Sequence, residues 1–173
     1  MKVDLSTVKD SPISFDFLLH PNEINLENEM AKLKSPAQVE GKITKGIAQT
    51  DVEGKIFVEV ELECARCLQP VEHLLEFPFE AVFVTPENYT EEKETELRAQ
   101  DLEVSVFAGS EIDLTELARE QILLNLPTQV FCIEDCKGLC QKCGANRNLI
   151  DCNCEEKEID PRWAALKDLK RNT

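Results

Sequence analysis

The stretch Ile56-Phe-Val-Glu-Val-Glu-Leu-Glu63 decides the architecture. Ile56, Val58, Val60 and Leu62 alternate with Phe57, Glu59, Glu61 and Glu63. That period of two gives an extended strand one apolar and one wet face. A second run follows, in which Leu75, Phe77, Phe79, Ala81 and Phe83 fall on every second residue. Gly41, Gly46 and Gly54 mark turns or bulges. Val39 to Val84 therefore reads as an antiparallel meander. Three of the eight phenylalanines sit in its last strand, and their spacing suits a packed face better than a base-stacking platform.

Upstream, Ile13-Ser-Phe15-Asp-Phe17 gives another alternating strand signal, while Pro21 to Lys34 reads as a helix or an irregular linker. Downstream, residues 86–103 break the composition. Glu87, Glu91, Glu92, Glu94, Glu96, Asp101 and Glu103 stand against only Lys93 and Arg98, the mark of an acidic loop. Val104-Ser-Val106 suggests a short strand. Asp113 followed by Glu116 fits a capping box with Asp as the cap. Leu114, Leu117, Ala118, Ile122 and Leu124 form an apolar stripe at helical spacing, closed by Pro127. Asp160-Pro161 opens a last helix, with Trp163, Leu166 and Leu169 on one face and Lys167, Lys170 and Arg171 in its final turns. The expected fold is α+β: an antiparallel meander, open or partly closed into a barrel, packed by a central helix. Residues 1–131 form this body, and residues 132–173 a Cys-rich tail with a C-terminal helix.

At 173 residues the chain is long enough to bury a core without cross-links. No apolar stretch approaches the ~18 residues of a membrane span. The start, Met1-Lys2-Val3-Asp4-Leu5, carries an acid where a signal peptide is apolar. A cytoplasmic location with reduced thiols follows, which argues against four disulfides. The net charge of −15 is uneven. Residues 1–136 carry 11 basic and 28 acidic side chains, and residues 137–173 carry 8 and 6. An acidic body repels phosphates and suits a basic protein partner.

Eight cysteines fall into two groups. Cys140-Gln-Lys-Cys143-Gly144 has metal-knuckle spacing, with a glycine where the backbone must turn freely. Together with Cys152-Asn-Cys154 it supplies four thiolates for one structural Zn²⁺, with Cys136 as a replacement for one of the last two. Lys137, Lys142 and Arg147 lie close enough in sequence to offset the net negative charge of such a centre. Cys64, Cys67, Cys132 and Cys136 form a second zinc site or include simple buried thiols. Cys64 continues the register of Val60 and Leu62, and Leu68 replaces the glycine, so this is the weaker knuckle. A redox pair at Cys64 and Cys67 would need a helix N-terminus, whereas the pair follows a strand. His20 and His73 stand in no metalloprotease-type pattern, and no phosphate loop, nucleophile elbow or dinucleotide fingerprint occurs. The expectation is a protein without enzymatic activity or a small-molecule substrate.

Cys64-Ala-Arg-Cys67-Leu68-Gln-Pro70, the helix Asp113 to Pro127, and Cys136-Lys-Gly-Leu-Cys140-Gln-Lys-Cys143-Gly144 lead on to Asn148-Leu149, Cys152-Asn-Cys154 and Asp160-Pro-Arg-Trp163. In this combination the chain resembles the YceD family of large ribosomal RNA subunit accumulation proteins over nearly its whole length. The resemblance implies a bacterial or organelle-derived factor needed for accumulation or processing of large-subunit ribosomal RNA, with no enzymatic activity. Some members keep the first cysteine pair and lack the downstream ones. This makes the downstream metal a stabilising option and points to Cys64, Arg66 and Cys67 for whatever the family shares. Two partners fit: a basic large-subunit ribosomal protein met by the acidic body, or the large-subunit rRNA precursor met by Lys42, Lys45, Lys55, Arg66 and the basic tail (Lys167, Lys170, Arg171). The alternative class is a zinc-ribbon interaction adaptor with no ribosomal role.

Overall fold

A computed structural model describes residues 1–8, 11–24, 26, 31–86, 104–106 and 109–154. Apart from Pro86, the segment expected as an acidic loop lies outside these, as does the expected C-terminal helix with Trp163, Lys167, Lys170 and Arg171.

The two alternating runs become strands β5 (Gln49–Glu63) and β6 (Pro70–Val84). They pair antiparallel throughout, from Gln49 against Val84 to Glu63 against Pro70. Direct opposition puts like with like on the inner face: Val52 meets Ala81, Ile56 meets Phe77 and Val58 meets Leu75. Ile56, Val58 and Val60 are at most 2% exposed, and burial of each contributes about 1.5–3 kcal/mol. Strand β4 (Ala37–Lys45) pairs with β5 from Thr50 to Phe57, and β2 (Ile13–Leu19) lies outside it.

The stretch expected as helix or linker instead ends in strand β3 (Ala31–Leu33), which pairs with β5 at Val60–Leu62, beyond the end of β4. Three residues are too few to show a period. What secures them is the buried Ala31 and the Lys34 ammonium, which bridges Glu61 at 3.3 Å and Glu72 at 3.2 Å. Strand β7 (Val104–Val106) joins β6 in parallel, a departure from a pure meander. The sheet order is β2-β4-β5-β6-β7, with β3 beside β5. Among the described residues β2 pairs only with β4 and β7 only with β6, so the sheet is open and the barrel expectation is corrected.

Gly46 lies in the β4–β5 turn, where its N–H bonds Gln49 O. Gly41 and Gly54 are different: they face each other in mid-strand. A Cβ on Gly41 would lie 2.3 Å from Glu53 O and 2.6 Å from Phe15 Cζ; one on Gly54 would lie 2.3 Å from Glu40 O and 2.9 Å from Phe79 Cε1. The rings of Phe15 and Phe79, both buried in the core, thus cover the two central glycines on the inner face.

The chain start, β1 (Lys2–Asp4), pairs with β8 (Glu111–Asp113) as a separate two-stranded ribbon. Helix α1 (Leu114–Leu124) follows at once. Asp113 caps it, accepting from the Thr115 and Glu116 amides at 3.0 and 3.4 Å, while Leu114 N–H bonds Met1 O. Glu116 turns its carboxylate to Arg119 at 2.8 Å. Leu114, Leu117, Ala118 and Ile122 are buried in one cluster with the sheet. Leu124, expected in that stripe, is 77% exposed, being the last helical residue before the Asn125 cap. No helix among the described residues is long and apolar enough to cross a membrane.

Candidate metal centres

Strand β5 ends at Glu63, and the next residue turns inward. Cys64 and Cys67 come from the β5–β6 turn, and Cys132 and Cys136 from the segment after α1. They form a small core of their own with Val71 and Leu139, apart from the main one. Cys64 is therefore buried, yet among thiols and not in the sheet core as its register suggested. Cys64 Sγ lies 3.8 Å from Cys136 Sγ, and Cys67 Sγ lies 3.4 Å from Cys132 Sγ. These are free thiols, too far apart for a ~2.05 Å disulfide. All four sulfurs lie within 4.8 Å of one another. A tetrahedral ion with bonds of about 2.3 Å sets its sulfurs about 3.8 Å apart, so the cluster fits one.

Cys140, Cys143, Cys152 and Cys154 form a second cluster, also within 4.8 Å. Cys140 and Cys152 are half-buried, Cys143 and Cys154 exposed. Cys136, considered as a replacement ligand here, belongs to the first cluster.

The two C-x-x-C turns are built alike. Leu68 N–H bonds Cys64 O at 2.9 Å, and Gly144 N–H bonds Cys140 O at 2.9 Å. Leu68 has φ 60° and Gly144 φ 72°. The absence of glycine after Cys67 suggested a weaker knuckle, but Leu68 takes the left-handed conformation all the same, held by the surrounding turn. In both turns amides aim at the first sulfur. Burial pushes the Cys64 thiol up, but the amides of Arg66, Cys132 and Cys67 outweigh it and bring it down to about 6. The Cys143 and Lys142 amides bring Cys140 down to about 6. The later sulfurs go the other way. Cys132 is pushed up to about 12, first by Cys67 and then by burial, and Cys154 up to about 12, first by Cys143 and then by Cys140. Thiolates crowded at van der Waals distance cannot all ionise without a cation, and a divalent ion removes that conflict.

Arg66 ties the buried cluster together. Its guanidinium donates to Cys136 O at 2.9 Å and lies 4.6 Å over the Phe131 ring, while Leu139 N–H bonds Arg66 O. Of the other basic residues singled out, Lys42 pairs with Glu53 at 2.8 Å and Lys45 donates to Leu5 O at 2.7 Å. Lys55 shares the outer groove with Asp16, Glu40, Glu53 and Glu80. Lys42, Lys45 and Lys55 thus lie among acids or are tied to backbone, and Lys167, Lys170 and Arg171 lie outside the described residues. Asn148 joins these residues without a motif of its own: its side chain reaches Cys136 Sγ at 3.2 Å, and its place between Cys143 and Cys152 is the one signal for it in the sequence.

Fold and site together define a class: an α+β protein whose C-terminal segment is gathered by two four-cysteine clusters, each able to hold a metal ion. The chain belongs to the family described as large ribosomal RNA subunit accumulation protein YceD, whose model matches residues 52–170. It is 30% identical over 156 residues to the uncharacterised Bacillus subtilis protein YlbN, covering 90% of this chain and 86% of that one. It is also 30% identical to the uncharacterised Mycobacterium tuberculosis protein Rv2926c, over 98% of this chain and 81% of that one. A 60-residue match at 37% identity, 35% of this chain and 19% of the relative, is to the chloroplastic large ribosomal RNA subunit accumulation protein YCED homolog 1 of Arabidopsis thaliana. No solved structure matches the chain.

Proposed function

We infer that the protein is a non-enzymatic factor of the bacterial cytoplasm that supports large-subunit ribosomal RNA accumulation by holding a basic ribosomal protein. Both cysteine clusters carry structural zinc in this reading. Four-thiolate tetrahedral spacing suits that ion, and eight free cysteines suit a reducing compartment. Cys64, Cys67, Cys132 and Cys136 hold one ion, and Cys140, Cys143, Cys152 and Cys154 the other. Bound zinc supplies cross-linking and charge, and no chemistry on a substrate is assigned to it.

The carrying observation is the outer face of β5 and β6. Glu53 stands directly opposite Glu80, and Glu61 directly opposite Glu72. Like charges in direct cross-strand opposition are destabilising. Lys34 relieves one pair and Lys42 reaches the other only through Glu53. A basic partner laid across this face would relieve the rest and would be steered to it. Ribosomal RNA would be repelled by the same charges, and Lys42 and Lys45 of an RNA patch are already engaged.

The test is a pull-down with ribosomal proteins and with naked rRNA at two salt concentrations, alongside depletion and gradient profiling. Retention of a basic ribosomal protein that weakens with salt is expected. Binding of naked rRNA at physiological salt would sink the protein-partner reading, and unchanged large-subunit rRNA on depletion would sink the ribosomal role.

A further inference from the structure

The two cysteine clusters are joined by one side chain. Asn148 lies on the loop between Cys143 and Cys152, two cysteines of the exposed cluster. Its amide Nδ2 nevertheless donates to Cys136 Sγ of the buried cluster at 3.2 Å and to Asn146 Oδ1 at 2.9 Å. Its Oδ1 accepts the Lys137 N–H at 2.8 Å. All of its hydrogen-bonding groups are thus set, and the donor faces a sulfur. The backbone runs the same way: Arg147 N–H bonds Gly138 O, and Leu139 N–H bonds Arg66 O. Residues 138–139 are therefore pinned between the buried cluster's first turn and the exposed cluster's loop. Gly138, with φ 72°, leaves no room for more, since a Cβ there would stand 2.9 Å from Arg66 O.

Resting on the zinc reading above, we propose that the clusters load cooperatively and that Asn148 is the positioning residue that couples them. An ion on Cys140, Cys143, Cys152 and Cys154 closes the loop that carries Asn148. Its ordering cost is then met before the amide is needed at Cys136. A charge-assisted N–H···S bond lowers the energy of the ligating thiolate, and hydrogen bonds of this type are typically worth 10- to 100-fold in metal affinity. Coupling of this sort is reciprocal: filling the buried cluster tightens the exposed one by the same factor.

The experiment withdraws zinc from the full chain with graded chelator and follows each cysteine by alkylation and mass spectrometry. Cys64, Cys67 and Cys132 report the buried site, and Cys143 and Cys154 the exposed one. In a Cys143→Ser/Cys154→Ser chain, the buried ion should be lost at about tenfold lower chelator strength. Asn148→Asp keeps all eight cysteines and the Lys137 contact but lacks the donor. It should weaken the buried site similarly, and adding the two serines should then cause little further loss. Buried-site release unchanged by the serines, or an Asn148→Asp chain as strongly coupled as wild type, overturns the proposal. Wild-type cysteines that all alkylate without chelator, with no metal bound, overturn the zinc reading itself and are distinguishable from either result.

Discussion

Leu68 and Gly144 hold the same post in two turns: each sends its N–H to the carbonyl oxygen four residues back, Cys64 O and Cys140 O, at 2.9 Å. Glycine takes the left-handed conformation freely, whereas leucine pays roughly 1–2 kcal/mol for it. Leu68 is 57% exposed, so its side chain returns little of that through burial. Leu68→Gly should raise the free energy of unfolding by roughly 0.5–1 kcal/mol net of glycine's own entropy. Gly144→Ala should lower it by about 1 kcal/mol through strain alone, since nothing lies within 4 Å of the added Cβ. Equilibrium denaturation of both variants checks the pair, and a destabilised Leu68→Gly would refute the argument.

Metal content separates the clusters. Cys64→Ser and Cys143→Ser should each bring zinc from two ions per chain to about one, read by elemental analysis. The loss at Cys64 should also unfold more of the chain, because its cluster joins segments 72 residues apart. If neither variant loses metal, both assignments are wrong.

Zinc affinity should rise with pH. Cys67 and Cys132 are held above the usual thiol range in one cluster, Cys152 and Cys154 in the other. These hold their protons at neutral pH, and an ion that binds must displace those protons. The logarithm of the binding constant should therefore climb with pH around neutrality. Below pH 6, where Cys64 and Cys140 also take up protons, the slope should steepen further. A flat profile in a competition titration contradicts the assigned thiol states.

Gly54→Ala should cost about 3 kcal/mol, at the upper end of overpacking penalties, since its Cβ would press on Glu40 O and the Phe79 ring. The expected readout is a lower denaturation midpoint with an unchanged slope. Arg66→Ala should cost about 1–2 kcal/mol by removing the bond to Cys136 O and the stack on Phe131. Arg66→Lys should recover little of it, because an ammonium cannot reproduce the planar contact.

Much of this was readable in the chain. Period-two runs fixed β5 and β6, because a half-buried strand leaves its mark on every residue. Asp113 was found as a cap because a cap is a local device. What escaped was non-local or too short. Ala31–Leu33 is a strand only because β5 offers an edge beyond β4, and β7 pairs in parallel without a sequence signature. Gly41 and Gly54 read as turn or bulge glycines, since the rings that cover them come from strands far along the chain. The cysteine spacing found Cys140, Cys143, Cys152 and Cys154 readily. It undervalued Cys64 and Cys67, whose partners lie beyond α1 and whose turn is completed by a leucine against ordinary preference.

The distance between Cys64 and Cys136 along the chain, 72 residues, has a bearing on synthesis. At about 5–20 residues per second, a ribosome needs roughly 4–14 s to make that span. During this interval the sheet's hairpin can form while its terminal thiols face nothing of their own kind. The nascent chain therefore carries an incomplete half-site, open to stray oxidants or to borrowed ligands, until the segment beyond the helix has emerged. For this fold, the buried site is whole only once Cys132 and Cys136 have been made.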